Sequence, residues 1–266
     1  MGYKSNLRQV LSASFLLGLT ALVIGCNTAP TKSGAEDKYH VEGLLVQDMD
    51  VDSAFIAARF NRNDTAITNA SIKLAGTPLA YFASLRGILA AYQSRLKPAN
   101  THAGSNVYLR VADASRFTDS LPLNIVGTFG LTDNFQPPNH HIQGTNNYVT
   151  LEWTAAANAD GYIVAAVKTS LAGTGVGYSA RVTSSGVAGT IPAEAFLNPS
   201  TNQPDTGLYN IYVYAYSDAP DSALASKLLP VPFPLQVAAN IARTSLSGRF
   251  GSITVALKDT VRVLAQ

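Results

Sequence analysis

From Tyr39 onward the chain is dominated by short runs in which apolar and polar residues alternate, with Gly, Pro, Asn and Asp between one run and the next. A period of two places successive side chains on opposite faces of an extended strand, so the pattern predicts an all-β chain rather than βαβ units. In the first half it predicts strands near 41–47, 53–60, 70–74, 107–111 and 121–126, with Asn61-Arg62-Asn63-Asp64 as a turn. The stretch 81–96 reads two ways. Phe82, Leu85, Leu89, Tyr92 and Leu96 fit one helical face, whereas Arg86-Gly87 fits a hairpin turn, and the flanking strands favour the hairpin.

Composition shifts at Gln136-Pro137-Pro138-Asn139, which sets the expected domain boundary. Beyond it, Val149, Leu151 and Trp153 are apolar at odd positions, and Asn158-Ala159-Asp160-Gly161 is a turn. A strand then follows over 162–167, and a longer one starts at Gly207-Leu208-Tyr209. This order resembles the fibronectin type III domain over roughly 139 to 220. The resemblance implies that Trp153 is the core tryptophan, Tyr162 its neighbour on the next strand, and Tyr209 a tyrosine corner bonded back to the preceding loop. The first half resembles an immunoglobulin-like module more loosely. The expectation is two tandem β-sandwich domains, immunoglobulin-like over 39–135 and fibronectin type III-like over 136–266. Pro230, Pro232 and Pro234 exclude a central strand over 228–235, because each lacks a ladder donor. Strands at 252–257 and 261–264 fit either sandwich.

The first 25 residues read differently. Lys4 and Arg8 precede an uncharged stretch rich in Leu, Ala and Val, the n- and h-regions of a signal peptide. Its apolar core, 10–24, is shorter than the roughly 20 residues of a membrane-spanning helix. The stretch ends in Leu22-Val23-Ile24-Gly25-Cys26, which resembles the lipobox of bacterial lipoproteins. That resemblance implies cleavage between Gly25 and Cys26 and acylation of the Cys26 thiol, with membrane lipid as the partner of the modified residue. Cys26 is the only cysteine, so no thiol is left for disulfides or metal. Residues 27–37 form a polar tether with a reach of about 40 Å at most. Asn27 stands where enterobacteria-like lipoproteins retained at the inner membrane carry Asp, which favours the outer membrane.

Charged residues are only 14% of the chain and hydrophobic residues 47%, which excludes a disordered charged tail. Without Lys4 and Arg8 the chain carries 17 basic and 17 acidic residues, and this neutrality excludes an electrostatic footprint for nucleic acid.

Few residues are arranged for chemistry. Asp48-Met49-Asp50-Val51-Asp52 begins like an EF-hand loop, but Ser53 and Arg59 stand where that loop needs Gly and Glu. His140-His141 is an adjacent pair in the presumed linker, and His40 and His102 are single. Gly173-Thr174-Gly175-Val176-Gly177 lacks the Lys and the helix of a phosphate loop. No nucleophile elbow, metalloprotease helix or Cys pair occurs, so the expectation is a chain with no catalytic residues, metal or cofactor.

The strand beginning at Tyr209 carries the most informative pattern. With Tyr209, Ile211, Val213 and Ala215 facing inward, Tyr212, Tyr214 and Tyr216 face the other way as an aromatic stripe. Such a stripe suits contact with protein or sugar, and equally it suits burial under Leu229, Val231, Phe233 and Leu235. The function expected is a non-catalytic, lipid-anchored envelope protein that binds or adheres to another envelope protein or a polysaccharide, with the stripe as the candidate face. A subunit of a surface assembly is the alternative, and a carbohydrate-active enzyme or accessory module ranks below it.

Overall fold

The computed structural model describes residues 37–50, 53–83, 91–96, 102–143, 147–171, 177–182, 186–218 and 239–265. From Lys38 on, the chain is one compact unit, all-β as the alternation predicts. It has two lobes, each with its own apolar core.

The first lobe starts with β1 (Tyr39–Asp48) and β2 (Ser53–Arg62), paired antiparallel from Tyr39–Arg62 to Asp48–Ser53. Next come β3 (Thr65–Ala66), β4 (Ser71–Leu74), β5 (Thr77–Phe82) and β6 (Ala91–Leu96). The stretch 81–96 is a hairpin, with Phe82 opposite Ala91; its turn lies outside the described residues. Strand β5 makes a corner. Its first half pairs with β4 and its second with β6, which folds β4, β7 (Asn106–Asp113) and β8 (Phe117–Asn124) over the opposite side of the core. Tyr39 stacks on Phe117 at 4.0 Å and on Phe60 at 5.5 Å. The buried Asp113 carboxylate beside this stack is satisfied by the Tyr39 hydroxyl at 3.2 Å and Arg62 Nη1 at 2.6 Å, as a desolvated charge requires. The Tyr92 hydroxyl ties down the loop before β4: it accepts from Ala70 N and donates to the Ile67 carbonyl.

The second lobe contains β9 (Leu131–Gln136), β11 (Val149–Trp153) and β14 (Ala188–Ile191) in a three-stranded sheet ordered β14-β11-β9. Facing it are β13 (Tyr178–Val182), β12 (Gly161–Lys168), β15 (Gly207–Ser217) and the end of β17 (Leu246–Val263). This is the A-B-E and C′-C-F-G strand arrangement of a fibronectin type III sandwich. Two short strands, β10 (His141–Ile142) and β16 (Ile241–Ala242), also pair with β17.

The expected division at residue 136 is corrected by the pairing. Strand β9 lies before it yet belongs to the second lobe, whose core begins at Val126. The first core, in turn, takes Ile241, Leu246 and Phe250 from the far end of the chain. The reason is β17, which is long enough to serve both lobes. Its first ten residues pair parallel with β1, from Tyr39–Leu246 to Asp48–Val255. From Ser252 onward its other edge pairs with β15. One sheet therefore runs β13-β12-β15-β17-β1-β2-β6 through both lobes. Gly248 makes the seam possible: its φ is +141°, and an added Cβ would fall on the Val41 carbonyl.

Candidate functional site

The inner face of β15 organises the second core. Tyr209, Ile211, Val213 and Ala215 are all buried there with Trp153 and Tyr162, whose rings lie 5.3 Å apart. The Tyr162 hydroxyl accepts a bond from Ala156 N at 2.7 Å. The Tyr209 hydroxyl lies 3.0 Å from the Asp205 carbonyl oxygen and 2.8 Å from its carboxylate, the arrangement of a tyrosine corner. Burial, and then Asp205, hold this phenol far above its ordinary ionisation range. Lys168 Nζ contacts Asp205 Oδ1 at 2.5 Å, and that bond, joined by Tyr209, keeps the carboxyl below its ordinary value. The indole Nε1 of Trp153 is buried without a partner.

The outer face of the same strand carries the tyrosine stripe. Its phase agrees with the alternation, but its exposure does not make it a contact surface. Tyr214 and Tyr216 are each 2% exposed, and Tyr212 is half-buried. The stripe is one column of a wider apolar face. Cross-strand rows align Ile163, Tyr214 and Val255, then Tyr216, Ile253 and Val46, so that β12, β15, β17 and β1 all contribute. An aromatic column in so large an apolar sheet face is poor company for water, which is why it is buried. Gly161 stands opposite Tyr216, and a Cβ there would collide with the phenol. Arg181 of β13, opposite Ile163, reaches across from the neighbouring row, with Nη2 2.9 Å from the Tyr216 hydroxyl and the guanidinium 5.6 Å over its ring.

The chain leaves this face at a pinned point. Asp218 N donates to Asp160 Oδ2 at 2.5 Å, and the Asp218 carboxyl accepts a bond from the side chain of Asn240. Burial, with the charge of Asp160, pushes that carboxyl up. Asn240 in turn makes both backbone bonds to Phe250, at 2.7 and 2.9 Å. Residues 218 and 240 are thereby joined to each other and to β17.

The second lobe also opens at its side. Strands β13 and β14 end their respective sheets, and beside them lies a groove of about 720 Å³. Its walls carry Asn134, Gln136, Thr150, Glu152, Arg181 and Thr190, with Asn134 Nδ2 bonded to Glu152 at 2.7 Å. Nothing in the sequence pattern marks this site, because β9, β13 and β14 are short and lack the alternating Val/Ile/Tyr runs that make a strand legible. A smaller cavity, about 210 Å³, lies by Phe196, Gln143 and Asn202.

The remaining sequence candidates are dispersed. Asp48 Oδ1 accepts from Asp50 N and Asp50 Oδ2 from Leu257 N, so the first acidic residues cap a turn, while Asp52 lies outside the described residues. Burial, with Asp48 nearby, raises the Asp50 pKa. The histidine pair diverges: His140 stacks on Phe135 at 5.0 Å and meets Asp259 Oδ2 at 3.2 Å, whereas His141 is exposed on β10. His40 lies between Ser247 and Glu42. His102 is an exposed turn residue with φ of 56°. Among the described residues no three His, Cys, Asp or Glu side chains converge on a metal-sized site. Gly25, Cys26 and residues 173–176 lie outside the described residues.

No protein-family model matches the chain, and no curated protein matches it. Solved structures with a similar arrangement include the fibronectin(III)-like modules of Clostridium thermocellum CbhA, at 11% identity and TM-score 0.24, covering 82% of this chain and 89% of that one. The FN1–FN3 domains of chicken CNTN1 match at 10% identity and TM-score 0.21, covering 71% and 59%. The paired IG1 and IG2 domains of DIP-gamma match at 10% identity and TM-score 0.22, covering 80% and 98%. The architecture rests on the strand pairing above rather than on these distant likenesses.

Proposed function

We propose that the chain is a lipid-anchored, non-catalytic binding module of the bacterial cell envelope, which holds an extended segment of another envelope protein along the open side of its second lobe. The observation that carries this reading is the pair of sheet edges, β13 and β14, beside one groove. An edge strand is a template for a further strand: main-chain bonds supply affinity, and alternate side chains supply specificity. Glu152 and the amides of Asn134 and Gln136 are the groups that would discriminate one segment from another. The anchor follows from the lipobox-like Leu22–Cys26 stretch. Acyl chains on Cys26 hold the protein to the outer membrane, at roughly 0.8 kcal/mol per buried CH₂, and residues 27–37 tether the lobes within reach of it.

One experiment on intact cells tests both halves. With a palmitate analogue and a cleavable crosslinker, the wild-type protein is expected to be labelled, to fractionate with membranes and to give a discrete crosslinked adduct. Cys26→Ala should lose the label and leave the membrane fraction. Ala188→Lys with Thr190→Lys should keep the label and lose the adduct, because two exposed positions of β14 then carry charge into the opening. A Cys26→Ala protein that still fractionates with membranes refutes the anchor, and an adduct undiminished in the double-Lys protein refutes the groove.

A further inference from the structure

We propose that the outer apolar face of β12, β15, β17 and β1 is an internal docking surface whose occupant is this chain's own segment 219–238. This goes beyond the binding reading and does not depend on it. The described members of the apolar cluster on this face all stand on one side of one sheet, yet Tyr214, Tyr216 and Ile163 are each 2% exposed. A single sheet layer does not bury its own outward side chains to that degree, so a second layer is required. The burial is reached within one chain, which argues against a second copy as the occupant.

The chain leaves at Ser217, directly after Tyr216, and comes back at Ile241, opposite Gly248. Asp218 and Asn240 tie the two ends together beside the face. The 20 residues of the segment reach about 30 Å out and back at the roughly 3.3 Å per residue of a strand-like extended chain. The three spacings between the four strands, at about 4.8 Å each, span about 15 Å. The segment is therefore long enough to cover the face and is anchored at its margin.

Its chemistry fits as well. Leu229, Val231, Phe233 and Leu235 alternate with Pro230, Pro232 and Pro234, so an extended backbone gathers the large apolar groups on one side. Each proline also removes an N–H that would otherwise need a partner over a face made of carbon. Only Asp221 and Lys227 are charged in the whole segment. The tether is a poor competitor, because residues 27–37 hold no apolar side chain larger than Pro. The tyrosine stripe then belongs to a second layer of core, and contact with other molecules falls to other surfaces.

Hydroxyl-radical footprinting of the full chain in mild detergent tests this, with Tyr108, 57% exposed, as the open control and Tyr162, 3% exposed, as the core control. In the wild type, Tyr214 and Tyr216 are expected to label as weakly as Tyr162. Changing Leu229, Val231, Phe233 and Leu235 together to Ser should raise their labelling several-fold towards that of Tyr108 and leave Tyr162 unchanged. Labelling near the Tyr108 level in the wild type overturns the proposal, and so does protection that persists in the variant. Should the variant unfold and Tyr162 label too, a photo-crosslinking residue at Phe233 in the otherwise unaltered chain decides. Intramolecular adducts to β12, β15 or β17 support the docking, and adducts only elsewhere overturn it.

Discussion

The two lobes are made of similar strands and close in different ways. In the second lobe every described strand comes from residues 131–263, and apart from the two-residue parallel pairing of β10 with β17 the neighbours are antiparallel, as in a self-contained module. In the first, β1 is joined to β17 by parallel pairing, and Glu42 reaches Arg249, 207 positions away, at 2.6 Å. Closing a loop of that length is slow and entropically costly, and only the shared strand offsets it. One strand serving two cores couples their stabilities, so this arrangement is not a pair of beads on a string.

The seam is therefore where the contrast is broken most severely. Gly248→Ala places a Cβ on the Val41 carbonyl at φ of +141°, and the parallel pairing must give way. The expected loss exceeds about 3 kcal/mol. It should appear in both lobes. Trp153, the only tryptophan, sits in the second core, so its fluorescence reports that lobe alone during urea unfolding. A midpoint lowered for Trp153 and for the far-ultraviolet dichroism together confirms the coupling; an unmoved Trp153 transition shows that the lobes unfold independently.

The same contrast explains what could be read in advance. Trp153, the Asp160-Gly161 turn and Tyr209 lie within one local stretch of sequence, so their alternation and order sufficed to place them. The boundary near 136 was not legible in that way, because β9 precedes it and the partner of β1 lies at the other end of the chain. Periodicity assigns a face to a residue, not a neighbour to a strand. It gave the two faces of β15 correctly and was silent on whether the outer one meets water. Burial there is decided by what lies across from it, as with the groove, whose walls come from five strands, three of which, β9, β13 and β14, have no strong local signature.

A milder change sharpens the comparison from the second lobe's side. Tyr209→Phe keeps the ring against Phe196, 5.3 Å away, and removes only the hydroxyl contacts to Asp205. The cost should be about 1–2 kcal/mol, seen in the Trp153 transition. Because the corner touches no part of the seam, the Glu42–Arg249 pairing should be untouched, and amide protection in β1 and β2 should fall only as far as global stability falls. Faster exchange in β1 and β2 alone would place the weak point of the molecule outside the second lobe.

The smallest effect separates the charges of the two regions. In the second lobe, the hydrogen bond from Lys168 is the main cause that holds Asp205 below its ordinary 3.8. At the seam, burial pushes Glu42 up, but the bonds and charges of Arg249 and His40 prevail and leave it below 4.5. A carboxyl whose folded value is depressed contributes stability above its unfolded value, and the contribution is lost as pH falls through the folded one. Asp50 and Asp218, both raised, act in the opposite sense: their ionisation opposes folding as pH rises past 3.8. Asp205→Asn removes one depressed acid and leaves the other three. Its cost at pH 7 should be under about 1 kcal/mol, since the pair with Lys168 is partly solvated. Urea midpoints measured across the acid range should show wild type and variant converging below 3.8, while the decline that begins near 4.5 from Glu42 persists in both. A gap that stays constant to low pH would mean that the amide disturbs packing at the corner and that the Asp205 charge contributes nothing to the second lobe.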